Sequence, residues 1–227
     1  INERLTASRF LRRVNVIGGV ATDITKDEKG MLIEALRRII NDFSQVVDIA
    51  ENSASLLNRL KDTGIVSIDV VRDHGAVGVA ARAAGIECDA RKDNPYAAYP
   101  HLNLEVATGK TGDVYARFYV RIKEVYSSYK LIKEALEKLP GGSDTTAAVA
   151  DLSLEKNAVV VSVVEGWRGE IVYIVMTDGQ GTMSRVDVRD PSFLNWNLIP
   201  HAGPGNIVPD FPLINKSFNL SYSGHDL

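Results

Sequence analysis

Residues 112–139 read GDVYARFYVRIKEVYSSYKLIKEALEKL. Within them Tyr115, Phe118, Ile122, Val125, Tyr129, Ile132 and Leu136 recur at alternating steps of three and four, the period of one face of an α-helix. A second stripe lies upstream: Leu32, Leu36, Ile39, Phe43, Val46, Ala50, Ser53, Leu57 and Leu60 keep the same period. It predicts a single helix from Asp27 onward, about nine turns long. Two apolar stripes of this length need partners, and bundle packing covers them. The tyrosines of the first stripe read as core packing ahead of any redox role.

Downstream of Gly141-Gly142 the pattern changes. Residues 158–164 and 171–176 are β-branched and apolar, and 185–188 continue after Asp178-Gly179-Gln180-Gly181, a hairpin turn. Arg168-Gly169 makes the preceding turn. These runs predict a small antiparallel sheet. Residues 191–199 read as a short helix, and 210–218 as another, with Asp210 as its cap and Pro212 in its first turn. The fold class is therefore α+β: a long-helix bundle with a small antiparallel β-sheet in the C-terminal part. Residues 1–142 form the helical portion and 143–227 the hairpin-rich portion, expected to pack as one unit.

Composition narrows the function classes. The chain has 227 residues, 45% hydrophobic content and a net charge of −3, enough to bury a sizeable core. No apolar run approaches the roughly 18 residues of a membrane span. Basic residues are dispersed, so there is no electrostatic footprint for nucleic acid. A single cysteine, Cys88, excludes an internal disulfide framework and fits a reducing compartment. The first residue is Ile1, which with the charged run after it leads us to expect a fragment of a longer chain.

Chemistry concentrates in residues 78–99, GVAARAAGIECDARKDNPYAAY, where charges sit among small residues. Gly78 and Gly85 bracket Arg82, so the backbone can take positive φ while the guanidinium is held in place. Asp89 and Arg91 are too close in sequence to face each other on a helix, but both can reach partners from an extended segment. Asn94-Pro95 turns the chain, and Tyr96 and Tyr99 follow. Taken alone, the pattern describes a buried structural ion pair as readily as a reactive site.

This stretch resembles a segment shared by the large subunit of formate-hydrogenlyase-type nickel–iron hydrogenases and the homologous quinone-site subunit of respiratory complex I. That pattern runs G-P-x-x-R-x-S-G, then D-x-R, then P-[YF]-x-x-Y. Gly78, Arg82, Gly85, Asp89, Arg91, Pro95, Tyr96 and Tyr99 match it, while Val79 and Ala84 replace its proline and serine. Further similarities follow in order. Gly112-Asp113, Arg117, Val120-Arg121 and Glu124 are similar to G-D-x-x-x-R-x-x-V-R-x-x-E, and Leu139-Pro140-Gly141-Gly142 to the turn that ends that helix. Residues 165–170, EGWRGE, resemble the E-x-P-R-G-E hairpin with Trp167 in place of proline. Residues 189–193 read R-D-P-S-F, as in the complex I branch, and Gly205-Asn206, Val208 and Asp210 resemble G-N-x-V-x-D. Ile17-Gly18-Gly19-Val20 resembles I-G-G-[IV].

The resemblance implies a hydrogenase large-subunit-like fold and a cavity whose lining candidates are Arg82, Asp89, Arg91, Tyr96 and Asp210. In the hydrogenases the C-terminal segment carries C-x-x-C, whose thiolates hold nickel and iron. Here Ser221 and Gly224 stand at those positions, and neither is a soft ligand, so a nickel–iron site is not expected. Complex I's homologue has lost the same cysteines and uses the cavity for a quinone head-group. The resemblance implies no cofactor bound by this chain except a quinone, with an iron–sulfur cluster in a partner subunit. It implies a subunit of an NADH–quinone-oxidoreductase-like or hydrogenase-like complex, docked to an iron–sulfur small subunit and membrane subunits at the cytoplasmic face of the membrane. A non-catalytic scaffold, or a formate-hydrogenlyase subunit that has lost its metal, are the alternatives.

Other constellations are weaker. His74, His101, His201 and His225 show no helical ligand spacing. Ser223, His225 and Asp226 are too close in sequence to form a triad. Gly203-Pro204-Gly205-Asn206 lacks the lysine of a phosphate-binding loop.

Overall fold

The computed structural model describes residues 1–12, 14–17, 19–140 and 153–227. The chain begins with a short helix α1 (Asn2–Thr6) and a two-stranded hairpin, β1 (Asn15–Val16) and β2 (Gly19–Val20). Helices α2 (Lys26–Glu51), α3 (Ala54–Leu60), α4 (Ile68–Asp73), α5 (Gly78–Ala83), α6 (Ala90–Asp93) and α7 (Val114–Lys138) follow. Then come strands β3 (Val159–Gly166), β4 (Gly169–Thr177) and β5 (Met183–Arg189), and helices α8 (Pro191–Asn195), α9 (Ile199–Ala202), α10 (Phe211–Phe218) and α11 (Tyr222–His225). No described helix is long and apolar enough to cross a membrane. Gly18, and Gly141-Gly142 with the expected boundary at 142/143, lie outside the described residues.

Asp113 starts α7. Its carboxylate accepts from Ala116 N at 2.7 Å, Thr111 Oγ1 at 2.7 Å and Asp62 N at 2.9 Å, a cap that also ties down the end of α3. The helix is gripped on more than one side. Ala116 and Val120 pack on Val79 and Ala83 of α5, and Val114 joins the main core with Val71, Leu198 and Ile214. The expected stripe is therefore only partly the buried face: Ile122 and Leu136 are buried, Tyr115, Phe118, Val125 and Tyr129 are half-buried, and Ile132 is exposed.

The long upstream helix is two helices. The step-of-three period runs through Ser53, but this residue is extended and its hydroxyl accepts from Leu56 N, capping α3. A side chain that can bond the backbone locally competes with helix propagation, and here it wins. Thr25 and Glu28 close a reciprocal capping box at the start of α2. Of that helix's 26 residues only Leu32 and Val47 are buried.

The sheet has the order β3-β4-β5, antiparallel throughout. Gly166 pairs with Gly169, leaving Trp167-Arg168 as the two-residue turn, and Val161 faces Ile174 in register. The runs expected as strands fall on these three elements, with Ala158 one residue ahead of β3. The short helix expected at 191–199 is realised as α8, a 3₁₀ turn at Trp196–Leu198 and α9. Asp210 precedes α10 but makes no side-chain cap. Its carboxylate is drawn instead to Arg59, at 3.2 Å.

The hairpin tip rests on the start of α5. Gly78 has φ +66°, and a Cβ there would come within 2.1 Å of Arg168 O. Asn195 fixes the same junction: its Oδ1 accepts from Val77 N at 3.0 Å, and its Nδ2 donates to Val77 O at 3.1 Å. Gly78→Ala is expected to destabilise the full-length protein by about 2–4 kcal/mol through left-handed strain and overpacking. An unchanged urea midpoint would show that the hairpin is not seated in this way.

Candidate functional site

The centre of the site is Arg82, 2% exposed on an otherwise small-residue helix. Its Nε donates to Glu124 Oε1 at 2.9 Å, and its Nη1 donates to Glu165 Oε1 at 2.9 Å and Cys88 O at 2.8 Å. Nη2 lies 2.8 Å from Glu124 Oε1, and Asp89 Oδ2 is 3.7 Å from Nη1. Three elements far apart in the chain, α5, α7 and β3, thus meet on one guanidinium. Burial disfavours the charge of Arg82, but the surrounding carboxylates outweigh it and raise its pKa.

Asp89 and Arg91 do face each other. Asp89 is not in a helix but is the extended cap of α6, so Arg91 folds back on it: Nε to Oδ1 is 2.9 Å and Nη2 to Oδ2 is 2.7 Å. Burial works to raise the Asp89 pKa, yet the Arg91 bonds and the nearby Arg82 leave it below the usual carboxylate range. Tyr96 OH accepts from Glu165 N at 3.1 Å, and its ring packs edge-on against Tyr99.

Glu165 differs from its neighbours. Burial raises its pKa above 4.5, only partly offset by Arg82 and by the Ala90 N–H that bonds Oε2 at 3.0 Å. Arg82, Arg91, Glu124 and Glu165 all border a cavity of about 480 Å³, whose apolar walls include Ile39 of α2 and Ile132 of α7. Leu36 and Ile39 of the upstream stripe and Val125, Tyr129 and Ile132 of the α7 stripe thus line this cavity, whereas the exposed Val46 lies outside it. Trp167, at the hairpin tip, closes one side and carries Arg121 over its ring at 5.4 Å.

Asp89 stands behind Arg82 and Arg91 and supports them. Tyr96 supports the Glu165 backbone. Asp210 is not part of this cluster, being paired with Arg59 beside α10. Glu124, Glu165 and Asn195 carry much of the geometry, although in the sequence the first two stand only within family-like strings and nothing marks Asn195. A hint was present for Glu165, an acid ending a β-branched apolar run.

A second buried arginine organises the C-terminal segment. Arg117 donates to Gly64 O at 2.9 Å, Gly112 O at 2.7 Å and Ser217 Oγ at 2.8 Å, and stacks on Phe218 at 4.1 Å. Burial lowers its pKa to about 9, which leaves it charged at neutral pH. Arg121 Nη2 donates to Ser217 O and Phe218 O, both at 3.1 Å.

Ser221 and Gly224 belong to this segment and not to the lining of the Arg82 cavity. Ser221 Oγ accepts from Gly224 N at 3.0 Å and lies 3.2 Å from Ser223 Oγ, so it is a helix cap for α11. Gly224 is buried, and a Cβ there would meet Asp190 Cγ at 2.5 Å. A hydroxyl already engaged and a position with no side chain, backed by a carboxylate, do not fit a nickel–iron centre.

The chain matches the family model described as respiratory-chain NADH dehydrogenase, 49 kDa subunit, over residues 1–160 and 148–226. It belongs to that family. Among similar proteins, the carbon monoxide-induced hydrogenase of Rhodospirillum rubrum is 31% identical over 204 residues, covering 89% of this chain and 56% of the relative. An NADH-quinone oxidoreductase subunit of Clostridium beijerinckii is 31% identical over 217 residues, covering 96% and 58%. NADH-quinone oxidoreductase subunit 4 of Thermus thermophilus is 32% identical over 245 residues, covering 96% and 59%. The chain thus spans somewhat over half the length of these relatives.

Proposed function

We propose that this chain is the cavity-bearing part of the large subunit of a membrane-associated oxidoreductase in electron transfer, and that the cavity takes a quinone head-group. The observation that supports it most is the pairing of Glu165, a buried carboxyl with a raised pKa, with Arg82 on the wall of a largely apolar cavity. Family membership and relatives named as quinone oxidoreductases support the same reading.

A quinone supplies the electron-accepting chemistry; reduction of its two carbonyls takes up two electrons and two protons. Arg82 and Arg91 border the cavity and would stabilise negative charge developing on a bound carbonyl oxygen. Glu165, holding its proton more readily than an exposed carboxyl, is suited to pass that proton on. Ile39, Ile132 and Trp167 would hold the apolar part. The parent complex would supply electrons through an iron–sulfur partner subunit, with membrane subunits docking the assembly at the inner face of the membrane. In this reading residues 1–142 and 143–227 act as one packed unit, since Arg82 and Glu165 come from either side of that boundary.

The experiment is quinone reduction by the native complex, with Trp167→Ala in the full-length subunit. The expected result is a raised KM for quinone with the complex still assembled; an unchanged KM would remove the cavity from quinone binding. Nickel content separates the hydrogenase alternative. Elemental analysis of the full-length protein in its complex is expected to give far less than one nickel per chain, and stoichiometric nickel would contradict our reading of Ser221 and Gly224. One observation favours the scaffold alternative, namely that the Arg82 guanidinium is engaged by Glu124, Glu165 and Cys88 O. A doubly substituted Arg82→Met, Asp89→Asn complex that assembled with full activity would remove both residues from any catalytic model.

A further inference from the structure

Sequence spacing offers no histidine pair, yet the fold brings two imidazoles together across 127 positions. His74 ends α4 and His201 lies in α9; their Nε2 atoms are 2.9 Å apart and the ring planes are inclined at 53°. Each neutral imidazole has one donor and one acceptor nitrogen, so this contact is made by one proton held between the two Nε2 atoms.

A divalent ion can take the place of that proton. In a tetrahedral site with metal–nitrogen bonds of about 2.0–2.1 Å, two ligand nitrogens stand about 3.3 Å apart. That is close to the 2.9 Å found, and His201, which is exposed, has room to adjust. Both rings border a cleft of about 550 Å³ shared with Trp196, Tyr222 and His225, so water can fill the remaining coordination positions. This cleft has no lining residue in common with the Arg82 cavity.

We propose that His74 and His201 form a binding site for a divalent transition-metal ion of the zinc or copper class, which clasps α4 to α9. Imidazole nitrogen suits these ions and not magnesium or calcium. For both Nε2 lone pairs to face the ion, the proton between the rings moves to Nδ1 of the ring that carried it, leaving both imidazoles neutral. No group of three or more His, Cys, Asp or Glu suited to a metal occurs among the described residues, so two imidazoles and water make up the site.

The test is calorimetric titration of the full-length protein with zinc chloride, alongside His74→Gln, His201→Gln and, as a control away from the cleft, His101→Gln. The expected result is one zinc fewer bound per chain, or at least tenfold weaker binding of one zinc, in each of the first two variants and not in the control. Bound copper(II) should also show imidazole nitrogen hyperfine structure that both variants lose. Zinc binding equal in all four proteins, or lost equally in the control, would overturn the proposal and leave a proton-sharing histidine pair. Matched circular dichroism and melting temperature would confirm that the variants are folded.

Discussion

Replacing Arg82 with methionine is expected to destabilise the full-length protein by roughly 3–5 kcal/mol, the range found when one member of a buried ion cluster is removed and the others remain. Glu124 and Glu165 would be left on either side of a gap with no cation between them, while Asp89 would keep Arg91. Lysine would restore the charge but not the fork that reaches Glu124 and Glu165 together, so Arg82→Lys should recover only part of the loss. Urea unfolding with both variants measures this. A methionine variant within about 1 kcal/mol of the parent would mean that the cluster contributes little to the fold.

The second large effect concerns Glu165. In the native complex Glu165→Gln is expected to lower quinone reduction by about 10²- to 10⁴-fold, the usual range for loss of a positioned proton donor. The pH behaviour separates this from a structural role. A carboxyl whose pKa is raised on folding contributes stability that is fully present below its ordinary value of 4.5 and is lost as pH rises through the folded value. Glutamine removes that pH-dependent loss, so the variant's stability should vary less with pH than the parent's, while its rate is much lower. The fall in rate with rising pH that Glu165 deprotonation causes should also vanish. Asp89 has the opposite sign: its pKa is lowered, so its stabilisation is present above 3.8 and is lost as pH falls through the folded value. A Glu165→Gln complex with parental rate and an unaltered pH profile would take this carboxyl out of proton transfer.

The elements were largely legible because their local signals agree with their tertiary use. Residues 159–161 and 171–176 are β-branched or apolar, and Gly166 and Gly169 mark the hairpin between them. Asp113 announces α7 and caps it. The break at Ser53 was hidden because serine kept the apolar period while its hydroxyl ended the helix. Asp210 looked like a cap, and only the approach of Arg59 from 151 positions away draws its carboxylate elsewhere.

The site was legible in part for a different reason. Arg82, Asp89 and Arg91 are conspicuous among small residues, but their partners Glu124 and Glu165 lie 42 and 83 positions beyond Arg82. Nothing in local pattern pairs them. Nor does periodicity tell a stripe that closes a core from one that walls a cavity, since both are equally apolar.

The seating of the hairpin on Gly78 bears on how the cavity can respond to an occupant. Its α5, α7 and hairpin walls are cross-braced by buried charge and by the Asn195 clamp, and form a stiff frame. The α2 wall is attached more lightly, with Phe43 edge-on to Tyr126 and Lys29 reaching Leu139 O at 3.0 Å. Mechanical compliance is expected to concentrate in that helix. A bulky occupant is therefore expected to displace α2 outward and to leave the arginine–carboxylate frame in shape.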